Sequence, residues 1–67
     1  MTNTQMLEAK ITDSGLKKAY IAKQLNITNN TLAKKLTGKV AFKTSEAAAL
    51  VKLLRLSQDD AVTIFLS

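Results

Sequence analysis

The segment KKAYIAKQLNITNNTLAKKL, residues 17–36, carries the clearest structural signal in this 67-residue chain. Apolar side chains recur at helical spacing on both sides of Asn26, as they do in two short amphipathic helices. Asparagine is the best non-glycine residue for a left-handed backbone, because its short side chain can hydrogen-bond locally. The stretch therefore predicts two helices that are joined by a tight turn beginning at Asn26.

The residues around this turn meet the requirements of close helix packing. Ala22 is small enough for the second of these helices to cross the first at short distance. We expect Ile27 to lie under the turn and Leu32 to fill the angle between the helices. Thr28 suits the N-cap of the second helix, since its hydroxyl can accept a hydrogen bond from a free amide of the first turn.

Outward from this pair, the apolar periodicity predicts three more helices and an all-α fold. Gly15 and Gly38 are expected to end the first and third helices, and Ser57 to cap the fifth. The fourth helix has the broadest apolar face (Ala47, Leu50, Val51, Leu53 and Leu54) and is predicted to form the centre of the core. The pattern at 40–42 favours an anchored loop over a short strand. The five predicted helices are 3–14, 18–25, 29–37, 44–54 and 58–66.

Composition excludes several classes of protein. The chain has no cysteine and no histidine, so disulfides and the usual zinc sites are excluded. There is no glycine-rich phosphate loop and no nucleophile–base pair, which argues against an enzyme. No apolar run approaches the roughly 20 residues of a membrane span, and the polar start does not resemble a leader. We expect residues 1–67 to form one cytoplasmic domain without a cofactor or small-molecule ligand.

The positive charge is concentrated around the turn. The net charge is +5, and the window between Ser14 and Ser45 holds seven lysines and no acidic residue. A basic surface organised around two short helices is what a protein needs to bind and read a polyanion. The lysines do not line one face of a long amphipathic helix, so the pattern favours nucleic acid over an anionic membrane.

Residues 18–36 also resemble the helix-turn-helix of phage Cro and repressor proteins, the broad Cro/repressor-type (XRE-like) family. The family has a small residue where Ala22 stands and aliphatic residues where Ile27 and Leu32 stand. The helix order and the Leu56-Ser57 and Ile64-Phe65 pairs are similar to small Cro-like phage regulators. The chain departs from the family at two positions, with asparagine in place of the usual turn glycine at 26 and lysine in place of the frequent glutamine at 18.

The resemblance implies a compact five-helix, lambda-repressor-like domain whose third helix enters the major groove of double-stranded DNA. Carried onto this chain, it implies that base edges are contacted by the start of that helix. Asparagine can bond bidentately to adenine, lysine can donate to guanine, and alanine can contact a thymine methyl. For Thr28 the alternative role is N-capping alone, and for the asparagines ordinary first-turn polarity. The predicted base-reading residues are Thr28, Asn29, Asn30, Ala33 and Lys34.

Five lysines are predicted to contact phosphate. Lys17 and Lys43 stand where a serine or threonine N-cap is expected, although the helix dipole opposes a cation there. An arriving phosphate would explain both positions. The alternative is that the helix starts are displaced by one residue, with Thr44 the true cap. Lys35 and Lys39 either contact the flanking backbone or form a solvated face. The predicted phosphate contacts are Lys17, Lys18, Lys35, Lys39 and Lys43.

The last helix is apolar on two neighbouring faces, more than one small core can cover. A second copy of the chain would cover the other face, and paired half-sites would raise affinity for DNA. The predicted dimer interface is Ile64, Phe65 and Leu66. The alternative is that these residues fold back onto the first and fourth helices.

The sequence thus favours a transcription regulator of Cro-like phage or prophage type that binds an operator as a homodimer in a bacterial host. No long linker follows the fifth helix, which favours a stand-alone protein over an excised domain. The alternative function is a helical protein-interaction module such as an antitoxin.

Overall fold

Five helices and their connections make up the fold in a computed structural model that describes residues 2–66. Among these residues there is no strand, so the fold is all-α, as predicted. Each observed helix bound lies within one residue of the bound predicted from the sequence. The helices are α1 (Thr4–Ser14), α2 (Lys18–Gln24), α3 (Asn29–Leu36), α4 (Thr44–Leu53) and α5 (Gln58–Phe65).

The core takes one large, fully buried side chain from each helix. In chain order these are Leu7, Ile21, Leu32, Leu50 and Ile64. Burial of one such side chain contributes about 1.5–3 kcal/mol, and a chain of this size has few of them. All five helices therefore contribute to one shared core. α4 contributes Leu50 to the centre, while the rest of its predicted apolar face is only partly buried.

The connection between α2 and α3 has the predicted geometry. Asn26 adopts the left-handed conformation, with φ of 59°. The amide of Ile27 then donates to the carbonyl of Ala22 at 3.0 Å, which closes the end of α2. Ala22 is fully buried and Ile27 packs against the core, as expected for a tight crossing of the two helices.

Arg55 follows the same rule at the end of α4, although the sequence did not predict it. Its φ is 52°, and the amide of Leu56 donates to the carbonyl of Val51 at 3.0 Å. A left-handed conformation at this position is usual for glycine, which has no Cβ to clash with the following carbonyl. The end of α4 is therefore conformationally strained at Arg55, and glycine at this position would avoid that strain.

The loop between α3 and α4 is anchored by a side chain, and no strand forms there. Phe42 is half-buried and packs against the core, while Val40 is exposed. The ring of Phe42 meets that of Phe65 edge to face, with centroids 6.1 Å apart. This contact joins the loop to α5 and confirms the anchored loop predicted from the sequence.

α5 is held against α1 at both the backbone and the surface. The amide of Asn3 donates to the carbonyl of Ile64 at 2.6 Å. Lys10 forms an ion pair with Asp60 at 2.9 Å, and the hydrogen bond from Lys10 holds the pKa of the Asp60 carboxyl below its usual value. Within residues 2–66, no helix has both the length and the apolar character that a membrane span requires.

We predict that Arg55→Gly raises the free energy of unfolding by about 0.5–1 kcal/mol. Glycine removes the left-handed strain, and the greater flexibility of glycine in the unfolded chain offsets only part of that gain. Lys52→Gly is the matched control, since it lies inside α4 and should destabilise by about 1 kcal/mol. Urea denaturation of both variants measures the difference. A loss of stability in Arg55→Gly would contradict the left-handed assignment.

Candidate nucleic-acid interface

The outer face of α3 is formed by the residues predicted to read bases. They are exposed and lie at the N-cap, in the first turn and one turn further on, whereas the opposite face of the helix is buried. The 3.6-residue period brings side chains three and four apart onto one face. The structure thus brings together, on one solvent-facing surface, Thr28, Asn29, Asn30, Ala33 and Lys34.

The hydroxyl of Thr28 is already used within α3. It accepts from the amide of Thr31 at 3.1 Å and lies 2.9 Å from the Thr31 hydroxyl. The N-cap role predicted from the sequence is therefore confirmed. A role in base recognition stays a prediction, and it would involve the methyl group or a lone pair that remains free.

Lys35 is not part of the exposed surface, so the prediction that it contacts phosphate is wrong. Its side chain is 4% exposed, and its ammonium lies 2.8 Å from the Glu46 carboxylate. It also donates to the carbonyl of Ala41 at 3.0 Å and lies 5.8 Å from the centre of the Phe42 ring. The reason is periodicity: Lys35 is three residues after Leu32 and therefore shares its buried face.

Glu46 is the second member of this buried pair, and sequence reasoning missed it. Burial alone would raise the pKa of its carboxyl. The hydrogen bonds from Lys35 and from the backbone amide of Lys43, together with the charges of both lysines, outweigh burial and hold the pKa below its usual value. The signal was present, because an acid three residues after an N-cap is the spacing of a capping box.

Lys43 is the N-cap of α4, so the alternative in which Thr44 caps the helix is wrong. A lysine side chain has no acceptor for the free amides of the first turn. The Glu46 carboxylate accepts from the Lys43 amide at 2.9 Å, which supplies the anion at this helix start from within the chain. The start of α4 therefore does not need a phosphate to complete it, and a phosphate contact of Lys43 stays a prediction that concerns its exposed side chain alone.

Lys17 is the N-cap of α2, and its side chain makes no capping hydrogen bond. The neighbouring Lys18 is exposed and pairs with Glu8 of α1 at 3.0 Å. Lys39 is exposed in the loop after α3. Of the seven lysines in the basic window, only Lys35 is buried; the six that reach the surface are Lys17, Lys18, Lys23, Lys34, Lys39 and Lys43.

The residues predicted for a dimer interface divide into three environments. Ile64 is 0% exposed in the core of the single chain, so the prediction that it lies at an interface is wrong. Phe65 is half-buried beside Phe42. Leu66 is 76% exposed, and Val62, one turn earlier, is 46% exposed. The apolar surface that α5 leaves uncovered is therefore carried by Val62 and Leu66, with the edge of Phe65 beside them.

The sequence matches no protein-family model, and a comparison with curated proteins also finds no match. Within the described residues, no three acidic side chains come together as a metal site would require. The functional proposal therefore depends on the geometry and charge of the surface around α3.

We predict that Lys35→Met or Glu46→Gln alone destabilises the fold strongly, because each leaves one buried charge without its partner. Loss of one partner of a buried pair typically costs about 3–5 kcal/mol. The double variant should be less destabilised than the sum of the two, since no unpaired charge remains and glutamine can still accept from the Lys43 amide. Urea denaturation of all four proteins measures the coupling; additive losses would show that the pair is not coupled.

The same pair predicts a pH dependence. Because the folded-state pKa of Glu46 is lowered, its contribution is fully present above the unfolded value of about 4.3 and is lost as the pH falls through the folded-state pKa. Stability curves of the wild type and Glu46→Gln should therefore converge as the medium is acidified below about pH 4. A constant gap between the curves would contradict an ionised Glu46.

Proposed function

We propose that this protein is a sequence-specific regulator of transcription of the Cro-like phage or prophage type. It binds double-stranded operator DNA with α3 in the major groove and acts as a homodimer in the bacterial cytoplasm. The main support for this proposal is that α3 has two different faces. Its inner face is buried in the core, and its outer face presents polar side chains among exposed lysines.

The outer face of α3 has the chemistry that base reading needs. The side-chain amide group of Asn29 or Asn30 can donate to N7 of adenine while its carbonyl oxygen accepts from the N6 amino group, which forms two hydrogen bonds to one base. Lys34 can donate to the acceptors of guanine, and Ala33 offers a methyl surface to thymine. These side chains make no hydrogen bond within the described part of the chain, so DNA contacts would not have to displace internal ones.

Phosphate contacts are proposed for the exposed lysines that flank this helix. Lys17 and Lys18 lie at the start of α2, and Lys39 and Lys43 lie in the loop that follows α3. The two groups therefore stand before and after the reading helix in the chain. Contacts of this kind fix the register of a protein on the duplex but carry no sequence information.

A homodimer is proposed through the uncovered side of α5. Val62 and Leu66 are four residues apart and so share a face, beside the half-buried Phe65. A single α3 can contact only a few base pairs, and two copies related by a two-fold axis would read two half-sites of a pseudo-palindrome.

The proposal is tested by selection of bound sites from a pool of random duplexes. A regulator of this type should enrich one motif with two related half-sites, and its binding should weaken steeply as salt rises. No binding to duplex DNA at any salt concentration would instead favour a helical protein-interaction module such as an antitoxin.

We predict that Asn29→Ala or Asn30→Ala weakens binding to the selected operator by about 1–3 kcal/mol and leaves random-DNA binding nearly unchanged. The reason is that these residues are proposed to contact bases, which differ between the two DNAs. Fluorescence anisotropy with both duplexes measures this difference. Equal losses on the two DNAs would mean that the asparagines do not read bases.

Lys43→Ala is the contrasting variant. It should weaken binding to both duplexes alike and reduce the slope of log affinity against log salt by about one, because one phosphate contact is lost. Lys52→Ala is its matched control, an exposed lysine of α4 with no proposed role. The phosphate role of Lys43 fails if the two variants have the same slope.

We predict that Val62→Glu shifts the protein toward monomer, because it places a charge in the proposed interface. Tyr20→Glu is the matched control, since Tyr20 of α2 is 45% exposed and Val62 is 46% exposed. Sedimentation at micromolar concentration without DNA, together with Tm at several protein concentrations, measures the effect. A monomeric wild type whose Tm is independent of concentration would contradict a preformed dimer.

A further inference from the structure

We infer that Glu8 of α1 is a specificity-determining residue of the DNA-binding surface. Its carboxylate pairs with the Lys18 ammonium and compensates that charge until a correctly placed phosphate binds the same ammonium. This inference rests on the proposed function. It concerns an acidic residue that lies outside the helix-turn-helix and was assigned no role from the sequence.

Glu8 lies at the edge of the surface that α3 presents. Its Oε1 is 3.0 Å from the ammonium of Lys18, and its Oε2 lies 3.4 Å from the same nitrogen. A groove of about 130 Å³ is lined by Glu8 and Lys18 together with Asn29, Ala33 and Thr37. Two of the proposed base-reading residues therefore border the same groove as this carboxylate.

The other acid–lysine pairs of the described chain have different surroundings. Lys35 and Glu46 are buried, and Lys10 and Asp60 join α1 to α5. In the Lys18–Glu8 pair, both side chains remain substantially exposed, at 58% and 41%. This pair is therefore accessible to an incoming phosphate and weak enough to rearrange.

The carboxylate should act differently on random and on operator DNA. Binding to random DNA comes almost entirely from lysine–phosphate contacts. The negative charge of Glu8 and its pairing with Lys18 therefore lower the affinity for random DNA directly. In the operator complex, base contacts fix the register of α3. One phosphate can then reach Lys18 from the side away from Glu8, and the ammonium, with three donors, can bind both partners at once.

The test compares Glu8→Gln with Asp13→Asn in the full chain. Asp13 is an exposed acid of the same helix with no ion pair within the described residues, and each substitution raises the net charge from +5 to +6. Anisotropy titrations with a random duplex and the selected operator, each across a salt series, provide affinities and salt slopes. Circular dichroism at each condition establishes that both variants are folded.

Glu8→Gln should bind random DNA about two- to fivefold more tightly at low salt, the range of one exposed ion pair. Its salt slope should be steeper by about one, because Lys18 then acts as a full cation. Operator affinity should rise less, so the ratio of operator to random affinity should fall. Asp13→Asn should leave that ratio unchanged.

Identical behaviour of Glu8→Gln and Asp13→Asn on both DNAs would overturn the inference, because net charge alone would then explain the change. An equal gain on operator and random DNA would also overturn it. In both cases the wild type still binds the operator and the proposed function stands. If the wild type binds no duplex DNA, the proposed function fails and the inference fails with it.

A double variant tests whether the effect of Glu8 depends on Lys18. In Lys18→Gln the positive partner is absent, so adding Glu8→Gln should no longer steepen the salt slope. If the steepening persists in the Lys18→Gln background, Glu8 acts on the DNA without Lys18, and the proposed sharing of Lys18 is contradicted.

Discussion

The buried ion pair between Lys35 and Glu46 is the constraint on which the orientation of α3 depends. Three parts of the chain meet at one ammonium: α3 supplies Lys35, the following loop supplies the carbonyl of Ala41, and the first turn of α4 supplies the carboxylate. Glu46 also accepts from the Lys43 amide, so the same carboxylate closes the start of α4. With Leu32 and Leu36 buried on the same side, α3 can present only its other face to a partner.

This arrangement explains how a chain with so many lysines can use one of them structurally. A lysine within the core is tolerated when a carboxylate and other acceptors replace the water it has lost. The ammonium of Lys35 has a carboxylate, a carbonyl and an aromatic face around it, and no buried polar side-chain atom of the described residues lacks a hydrogen bond. The remaining lysines of the window stay at the surface, where they give the neighbourhood of α3 its positive field.

Local rules were enough to predict the five helices, because caps, glycine stops and apolar periodicity act over a few residues. Asn26 and Thr28 have the roles that their chemistry indicated. The run of lysines led to an exposed position for Lys35 and to no role for Glu46, although the helical period and the capping-box spacing indicated their places. Ile64 was misjudged because its burial depends on which helices pack together, and a pattern along the chain does not contain that information. Arg55 was missed because arginine has no preference for the left-handed conformation it adopts there.

The same limit applies to the candidate site. The exposed face of α3 follows from its helical period, so its members could be chosen from the sequence. The pairing of Lys18 with Glu8 could not, because it joins residues ten apart on two helices whose crossing is set by the core. The uncovered side of α5 likewise depends on the packing of the helices, because burial of Ile64 in the core leaves Val62 and Leu66 outside.

DNA binding on the outer face of α3 can be measured by an NMR titration of the ¹⁵N-labelled protein with a duplex. Backbone and asparagine side-chain amide signals should shift most from Thr28 to Lys34, with smaller shifts at Lys17, Lys18 and the loop before α4. Signals of the buried core should hardly move. Shifts confined to α5, or an unchanged spectrum at low salt, would contradict DNA binding at α3.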